Sequence, residues 1–383
     1  MAVEPVPFQA GEASETAALL LAAGTAAYAL LTGYYAWRAF RVKLEDRWSA
    51  LLATGVMLAM ALLLYRDGAT LVPAPFSVAI VVVYVGAIVV TLTFTLGRYQ
   101  EKIERFKEVF GRRLNAILQD LRPAERKTEL HRIQAEMQLG HEGRRKAPHL
   151  MMSAFLLLYG ALGYLAVRGL WSLVGGGPGS GESLRNLYEA SHHGWLAAGH
   201  LFAVFGLFTV LLVILPTELL RLRYPETSYP FKAIILSRLR TREAGLFGAH
   251  YYIAATVPLA VLWLTRDAAH WDTGIPAVFA MLAVSIFADT ASALVGIRFG
   301  RRKWFHNPNK SYLGSVGGTL VAFAVALPFV GLPVAVASAL VFLLVDVLAP
   351  VPFAVSDNIL NPLALAATYT LLHGQLDPML PYY

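Results

Sequence analysis

The chain has 383 residues, 57% hydrophobic and only 15% charged, with a formal net charge of +7 and a mean hydropathy of +0.54. Soluble domains carry roughly 25% charged residues, so an ordinary soluble globule is excluded. The absence of cysteine excludes disulfide scaffolds, thiol nucleophiles and Cys-ligated metals.

Crossing about 30 Å of hydrocarbon takes about 20 mostly apolar residues in helix. Ten stretches meet or approach that length: Ala17–Trp37, Trp48–Tyr65, Phe76–Leu96, Leu150–Leu170, Trp195–Leu220, Phe247–Thr265, Ile275–Phe299, Tyr312–Val330, Pro333–Ala349 and Asn358–His373. None shows strand-like alternation, so the expected fold is all-α: a polytopic membrane helix bundle of about ten transmembrane helices. The first loop, residues 98–147, residues 221–242 and residues 298–310 together hold 28 of the 32 Lys and Arg. All four connections fall on one side of a ten-helix arrangement, which the positive-inside rule makes cytoplasmic, with both termini outside. Residues 1–16 contain Glu4, Glu12 and Glu15 and no basic residue, unlike a signal peptide. The expected organisation is an N-terminal three-helix membrane segment (1–97), a cytoplasmic element (98–147) and a seven-helix catalytic membrane domain (148–383).

Within 98–147, Ile103, Phe106, Phe110, Leu114, Ile117 and Leu121 recur at helical spacing, and Pro123 separates a second helix from the first. With 13 basic against eight acidic residues, this amphipathic hairpin suits anionic phospholipid headgroups. A lid over a cytoplasmic nucleotide is the sharper alternative. The Gly-rich stretch 175–181 has no Lys after it and reads as a flexible turn.

Asp289 stands inside the seventh stretch, where an acidic side chain costs roughly 2.5–3.5 kcal/mol to insert and therefore needs a polar cavity or a partner. Gly296 and Gly300 follow on its face, a spacing that also serves helix packing. Arg301, Arg302, Lys303 and Lys310 crowd the next loop, ahead of Ser311, Gly314, Ser315, Gly317 and Gly318 at the start of a helix. Basic side chains, a hydroxyl and closely approachable amides at a helix N-terminus suit a polyphosphate, although the Walker A order is absent. Arg145, Lys146 and His149 precede the fourth stretch, where anchoring or charge stabilisation would each account for them. Asp357 and Asn358 precede the tenth, as a helix N-cap or as metal or phosphate ligands. No H-E-x-x-H or G-x-S-x-G pattern occurs, and nucleic-acid binding is not expected. His192, His193 and His200 read as interfacial histidines on the outer side.

The string DTASALVGIRFGRRKW…NKSYLGSVGG, followed by SDNILNPL, resembles the dolichol kinase/phytol kinase family, polytopic enzymes that phosphorylate lipid alcohols with CTP. Asp289, Gly296, Gly300, Lys303, Lys310, Ser311, Gly314, Asp357, Asn358 and Pro362 fill that family's pattern. RRKAPHL, with Arg145, Lys146 and His149, resembles the start of its first core helix. Arg242, Glu243 and Gly248 fit a looser element. Asp346 stands in a region where the family commonly has Glu. The preponderance of Arg over Lys, with many Ala and Gly, points to a GC-rich prokaryote and its plasma membrane, and the basic loops put the site on the cytoplasmic side. The resemblance spans residues 144–373 and implies a membrane lipid kinase. Its substrates would be CTP and a polyprenol, dolichol or phytol type of isoprenoid alcohol, with Mg²⁺ as cofactor.

In that reading Asp289 holds Mg²⁺ or accepts the alcohol proton, with Asp357 as a second metal ligand. Lys303, Lys310, Ser311, Asn358 and the glycine amides hold the triphosphate, and Arg145 and Lys146 stabilise the transferred group. Rival readings are a CTP-dependent diacylglycerol kinase, a phosphatidate cytidylyltransferase-like enzyme, and, outside enzymes, a lipid transporter or flippase. The cytidylyltransferase signature and the internal repeats common in transporters are both missing.

Overall fold

A computed structural model describes residues 12–72, 76–96, 194–223, 246–266, 271–349, 351 and 355–377. The amphipathic hairpin expected over 98–147 and the stretch Leu150–Leu170 lie outside these residues. The described residues fold into helices α1 (Glu12–Arg41), α2 (Arg47–Leu71), α3 (Phe76–Leu96), α4 (Gly194–Arg223), α5 (Ala249–Leu264), α6 (Trp271–Ala283), α7 (Asp289–Phe299), α8 (Tyr312–Leu348) and α9 (Asp357–Leu371). A π-turn, Val284–Ala288, joins α6 to α7, and a 3₁₀ turn, His373–Gln375, follows α9. Each of the other nine predicted stretches falls on helix.

The described residues are all-helical, and four helices are long and apolar enough to cross a membrane, which makes this a membrane protein: Glu12–Arg41, Arg47–Leu71, Thr273–Phe299 and Tyr312–Leu348. Shorter apolar helices cover Phe76–Gly86, Val204–Leu219 and His250–Leu264.

Lipid removes most of the hydrophobic gain from helix association, so close contact through small residues takes over. α1 buries Ala17, Ala18, Ala22, Ala29, Ala36 and Ala39 against α2, which buries Ala50, Ala53 and Ala61. At Gly68 a Cβ would lie 2.9 Å from the Ala18 methyl, so the two backbones meet there at glycine distance. α1 also places Glu12 and Glu15 in its first turn and Arg38 and Arg41 in its last, each complementing the helix dipole.

The 37 residues of α8 would extend about 55 Å if straight, nearly twice the hydrocarbon thickness. They are not straight. At Gly331 the backbone takes φ 76° and ψ 171°, a region open essentially to glycine alone. The chain reverses there, and Ser315 Oγ donates to Asp346 Oδ2 at 2.6 Å across 31 residues of sequence. The Phe342 ring likewise reaches Gly318, where a Cβ would lie 2.7 Å from it. The predicted stretches Tyr312–Val330 and Pro333–Ala349 are therefore the two antiparallel arms of this hairpin. Asp377 N–H donates to Val330 O at 3.3 Å and closes the chain over the reversal.

Two buried carboxylates tie helices together, Asp46 fastening the start of α2 to α5 and Glu218 fastening α4 to the start of α5. Asp46 accepts hydrogen bonds from Tyr252 Oη at 3.0 Å, Tyr35 Oη at 3.1 Å and Phe247 N–H at 3.2 Å. Burial pushes this carboxyl above its ordinary pKa, against the lowering effect of those donors. Glu218 of α4 accepts from Gly248 N–H at 3.0 Å and meets His250 Nε2 at 3.1 Å. Close by in the chain, Ser49 Oγ accepts the Ser356 N–H at 3.0 Å, so the start of α2 braces the start of α9.

Replacing Gly331 by Ala imposes a side chain on a glycine-only conformation, with its Cβ 2.6 Å from Asp377 O. The expected loss is about 1–3 kcal/mol, measured as a lower unfolding midpoint in detergent. An unchanged midpoint would show that the hairpin does not depend on this residue.

Candidate functional site

The loop between α7 and α8 is held at both ends and from beneath. Tyr312 N–H donates to Arg302 O and Trp304 N–H to Lys310 O, both at 3.2 Å, closing an antiparallel bridge between Lys303 and Ser311. The buried Asn307 donates through Nδ2 to Val347 O at 3.2 Å and Ala349 O at 3.1 Å, the C-terminal end of α8. Trp304 packs on Tyr312 and donates its indole N–H to Ser315 Oγ at 3.1 Å. This anchoring fixes where Lys310 can reach.

Lys310 Nζ lies 2.6 Å from Asp346 Oδ1 and 3.1 Å from Asp357 Oδ2. Asp346, 2% exposed, also accepts from Ser315 Oγ at 2.6 Å and from Ser292 Oγ at 3.1 Å. Burial pulls the Lys310 pKa down, but Asp357, Asp346 and Asp289 outweigh it, and the ammonium is held above its ordinary value. An ammonium has three N–H donors, two of them used here, so one is left for a ligand.

The N-cap of α9 is Ser356, whose Oγ accepts the Asn358 N–H at 3.2 Å. Neither Asp357 nor Asn358 fills the capping role that their residue types allow, and the Asp357 carboxylate turns instead to Lys310. At α8 the cap is Ser311, 3% exposed, accepting from Gly314 N–H at 3.1 Å. The Ser311 hydroxyl oxygen and the Gly314 amide thus serve each other.

Gly296, Gly300 and Gly314 form a close seam between α7 and the first arm of α8. A Cβ on Gly300 would lie 2.2 Å from Ser311 Oγ, and one on Gly314 would lie 2.7 Å from Ser292 O and 3.0 Å from Gly296 Cα. Their missing side chains let two backbones touch.

Asp289 and Asp357 line one cleft, together with Asn358, Asn361 and Ser285. Its remaining lining is apolar: Ile253 and Val257 of α5, Leu282 of α6, Ile286 of the π-turn and Pro362 of α9. π-turns inside α-helices recur at functional sites because they re-aim neighbouring side chains, and this one ends immediately before Asp289. The cleft therefore has a carboxylate-bearing polar lining beside a hydrocarbon one.

Of the residues singled out from sequence, Asp289, Lys310, Asp357 and Asn358 come together. Gly296, Gly300, Gly314 and Ser311 surround them as packing and capping residues, and Lys303 is exposed on the loop. Arg145, Lys146, His149, Arg242 and Glu243 lie outside the described residues. His200 is buried and hydrogen-bonded to Thr265 Oγ1 at 3.0 Å. The residue left without a role by sequence reasoning is Asp346, which proves to be the centre of the network. A lone Asp in an apolar run, costly to insert, was the available signal.

No group of three or more His, Cys, Asp or Glu able to hold a metal occurs among the described residues. Mg²⁺ seldom has an all-protein cage and commonly takes one or two carboxylates plus phosphate oxygens. Two carboxylates lining one cleft fit an ion shared with a phosphate-bearing substrate. Comparison of the chain with protein-family models, curated proteins and solved structures finds no match.

Substituting Asp346 by Ala leaves the Lys310 ammonium without its 2.6 Å partner and two serine hydroxyls without an acceptor. Breaking a buried pair from one side costs about 3–5 kcal/mol, and detergent unfolding should register a loss of that order. Because the folded Lys310 pKa is raised, its stabilising contribution is complete below the unfolded value and disappears as pH rises through the folded one. Stability should therefore show no Lys310-dependent loss between neutral pH and about pH 10. A decline across that range in the native protein, absent from Lys310→Met, would contradict this assignment.

Proposed function

We propose that this protein is a membrane lipid kinase that transfers the γ-phosphoryl group of CTP to the hydroxyl of an isoprenoid alcohol. The observation that carries the reading is the cleft itself, where Asp289 and Asp357, the latter paired with the half-buried Lys310, share the lining with hydrocarbon. Such a lining suits chemical groups of opposite character, a phosphate oxygen and the hydroxyl end of an alcohol drawn from the bilayer. CTP as donor and an isoprenoid as acceptor rest on the resemblance of residues 144–373 to the dolichol kinase/phytol kinase family.

Phosphoryl transfer needs positioning and charge neutralisation more than covalent help from protein. Lys310 offers its remaining N–H to a phosphate oxygen, and its two carboxylate partners hold the ammonium in place. Asn358 lies beside it to contact the nucleotide, and Lys303 supplies charge from the exposed loop. Asp357 would hold Mg²⁺, which neutralises phosphate oxygens when bound, and Asp289 would be either its second ligand or the base. As the alcohol oxygen bonds to the γ-phosphorus, the bond from that phosphorus to the β,γ-bridging oxygen breaks. CDP departs with the bonding pair, and where Asp289 is the base the alcohol proton passes to its carboxylate.

Arg145 and Lys146 enter this scheme through the resemblance alone, as stabilisers of the transferred group. In the same reading the site faces the cytoplasm of a prokaryotic plasma membrane, and the basic stretch 98–147 rests on anionic phospholipid. The α7 helix is 11 residues long, so Asp289 lies about 16 Å of helix before its C-terminal end.

Purified protein given γ-labelled CTP and a panel of lipid alcohols should place label in the lipid fraction. Label transferred from the α position instead would mean cytidylyl transfer, and lipid movement without nucleotide in proteoliposomes would favour a flippase. Asp289→Asn should lower kcat by about 100-fold or more, the scale of a lost general base. Full activity in that variant would remove Asp289 from the mechanism.

A further inference from the structure

Two polar atoms in the cleft are buried without a hydrogen-bond partner: Asn361 Oδ1 and Ser285 Oγ. Asn361 is only 4% exposed. Buried polar atoms are almost always paired, so two unpaired ones lining the same cleft point to a ligand that completes them.

Their positions along the helices relate them to the carboxylates. Asn361 lies four residues beyond Asp357 on α9, and Ser285 lies four residues before Asp289 across the π-turn. On α9 four residues amount to about one helical turn, about 6 Å, and the wider π-turn rises less over the same number. On each of these two walls a carboxylate stands toward the end of the bundle that carries the 300–311 loop, with a neutral polar group one turn further in. Leu282 on α6, with Ile253 and Val257 on α5, then supplies hydrocarbon. The carboxylates thus stand nearer the loop than the two unpaired groups, with apolar side chains beside and beyond them.

We infer that Asn361 and Ser285 seat the hydroxyl of the lipid acceptor, and that this acceptor is a neutral single-chain alcohol. The inference deepens the kinase reading and takes the identity of the transfer reaction from it. A hydroxyl has one donor and two acceptor positions. Asn361 Oδ1 accepts its O–H in the substrate complex, and Ser285 donates to its oxygen. The apolar residues then receive the first carbons of the chain. A diacylglycerol carries an ester oxygen next to its free hydroxyl. Esters only accept, so this group would set one acceptor against another at Asn361 Oδ1. The cleft therefore discriminates by hydrogen-bond polarity.

The test uses the full chain in detergent, a tritiated diazirine analogue of a C15 isoprenoid alcohol, and the variants Asn361→Leu and Ser285→Ala. Without nucleotide, the analogue should label the native protein, and unlabelled isoprenoid alcohol should compete while dioleoylglycerol does not. Asn361→Leu should cut labelling at least tenfold and Ser285→Ala several-fold. In steady-state assays with γ-labelled CTP, KM for the alcohol should rise in parallel while KM for CTP stays within twofold. Should Asn361→Leu fail to fold, Ser285→Ala decides alone. A variant with native melting behaviour and unchanged labelling and alcohol KM would overturn the assignment. Equal competition by dioleoylglycerol would overturn the single-chain specificity. If no lipid alcohol is phosphorylated by the native protein, yet labelling is competed and falls in the variants, the hydroxyl site stands and the kinase reading falls. Normal kinase activity with unaffected variants would give the reverse.

Discussion

The Asp346 carboxylate accepts from Lys310 of the loop, Ser315 of the first arm of α8 and Ser292 of α7, while its own backbone belongs to the second arm. Four pieces of chain are thereby tied at one point, and Lys310 extends the tie to Asp357 at the start of α9. A carboxylate this deeply buried is prohibitive unless it is paired and fully hydrogen-bonded. Its partners must therefore arrive together, which makes the network a constraint on how α7, α8 and α9 assemble. The cleft inherits its shape from that constraint, because Asp289, Asp357, Asn358 and Asn361 all stand on elements the network joins.

Close packing makes such a network possible. The glycines between α7 and α8 bring their backbones into contact, and any side chain at Gly300 or Gly318 would collide with atoms under 3 Å away. Separating the helices by one methyl would pull Ser292 and Ser315 off Asp346. The residues around Asp289 therefore divide into two groups with different physical work. Gly296, Gly300, Gly314 and Ser311 set the spacing and cap the helix. Lys310 and the carboxylates use that spacing to hold charge next to a cleft.

The N-terminal helices contribute to the same end of the bundle. Ser49 of α2 takes the backbone N–H of Ser356, the residue that caps α9 and so aims Asp357 and Asn358. Asp46, one residue before α2, binds Tyr252 and the backbone of Phe247 at the start of α5. Two of the elements that line the cleft are thus braced by a segment that bears no resemblance to the lipid-kinase pattern. Support of this kind follows from hydrogen-bonding need and leaves no periodic or spaced signature in the chain.

Hydrophobic runs alone determined that this protein is helical and membrane-embedded, because in hydrocarbon a backbone must satisfy its own hydrogen bonds. The cost of a carboxylate among apolar residues was enough to single out Asp289, and the crowding of Lys and Ser after Gly300 was enough to place a polar centre near it. Only the tertiary structure decided that Asp346 anchors that centre, since its significance lies in partners 31, 36 and 54 residues away. It also decided that Ser356 rather than Asp357 caps α9, a choice among equally suitable residue types settled by which side chain finds a charge to bind. The break between Val330 and Pro333 was legible as a gap between two apolar stretches, but the backbone conformation that Gly331 takes there was not. A positive φ is imposed by the packing of two arms on each other, and that contact exists only once the chain has folded.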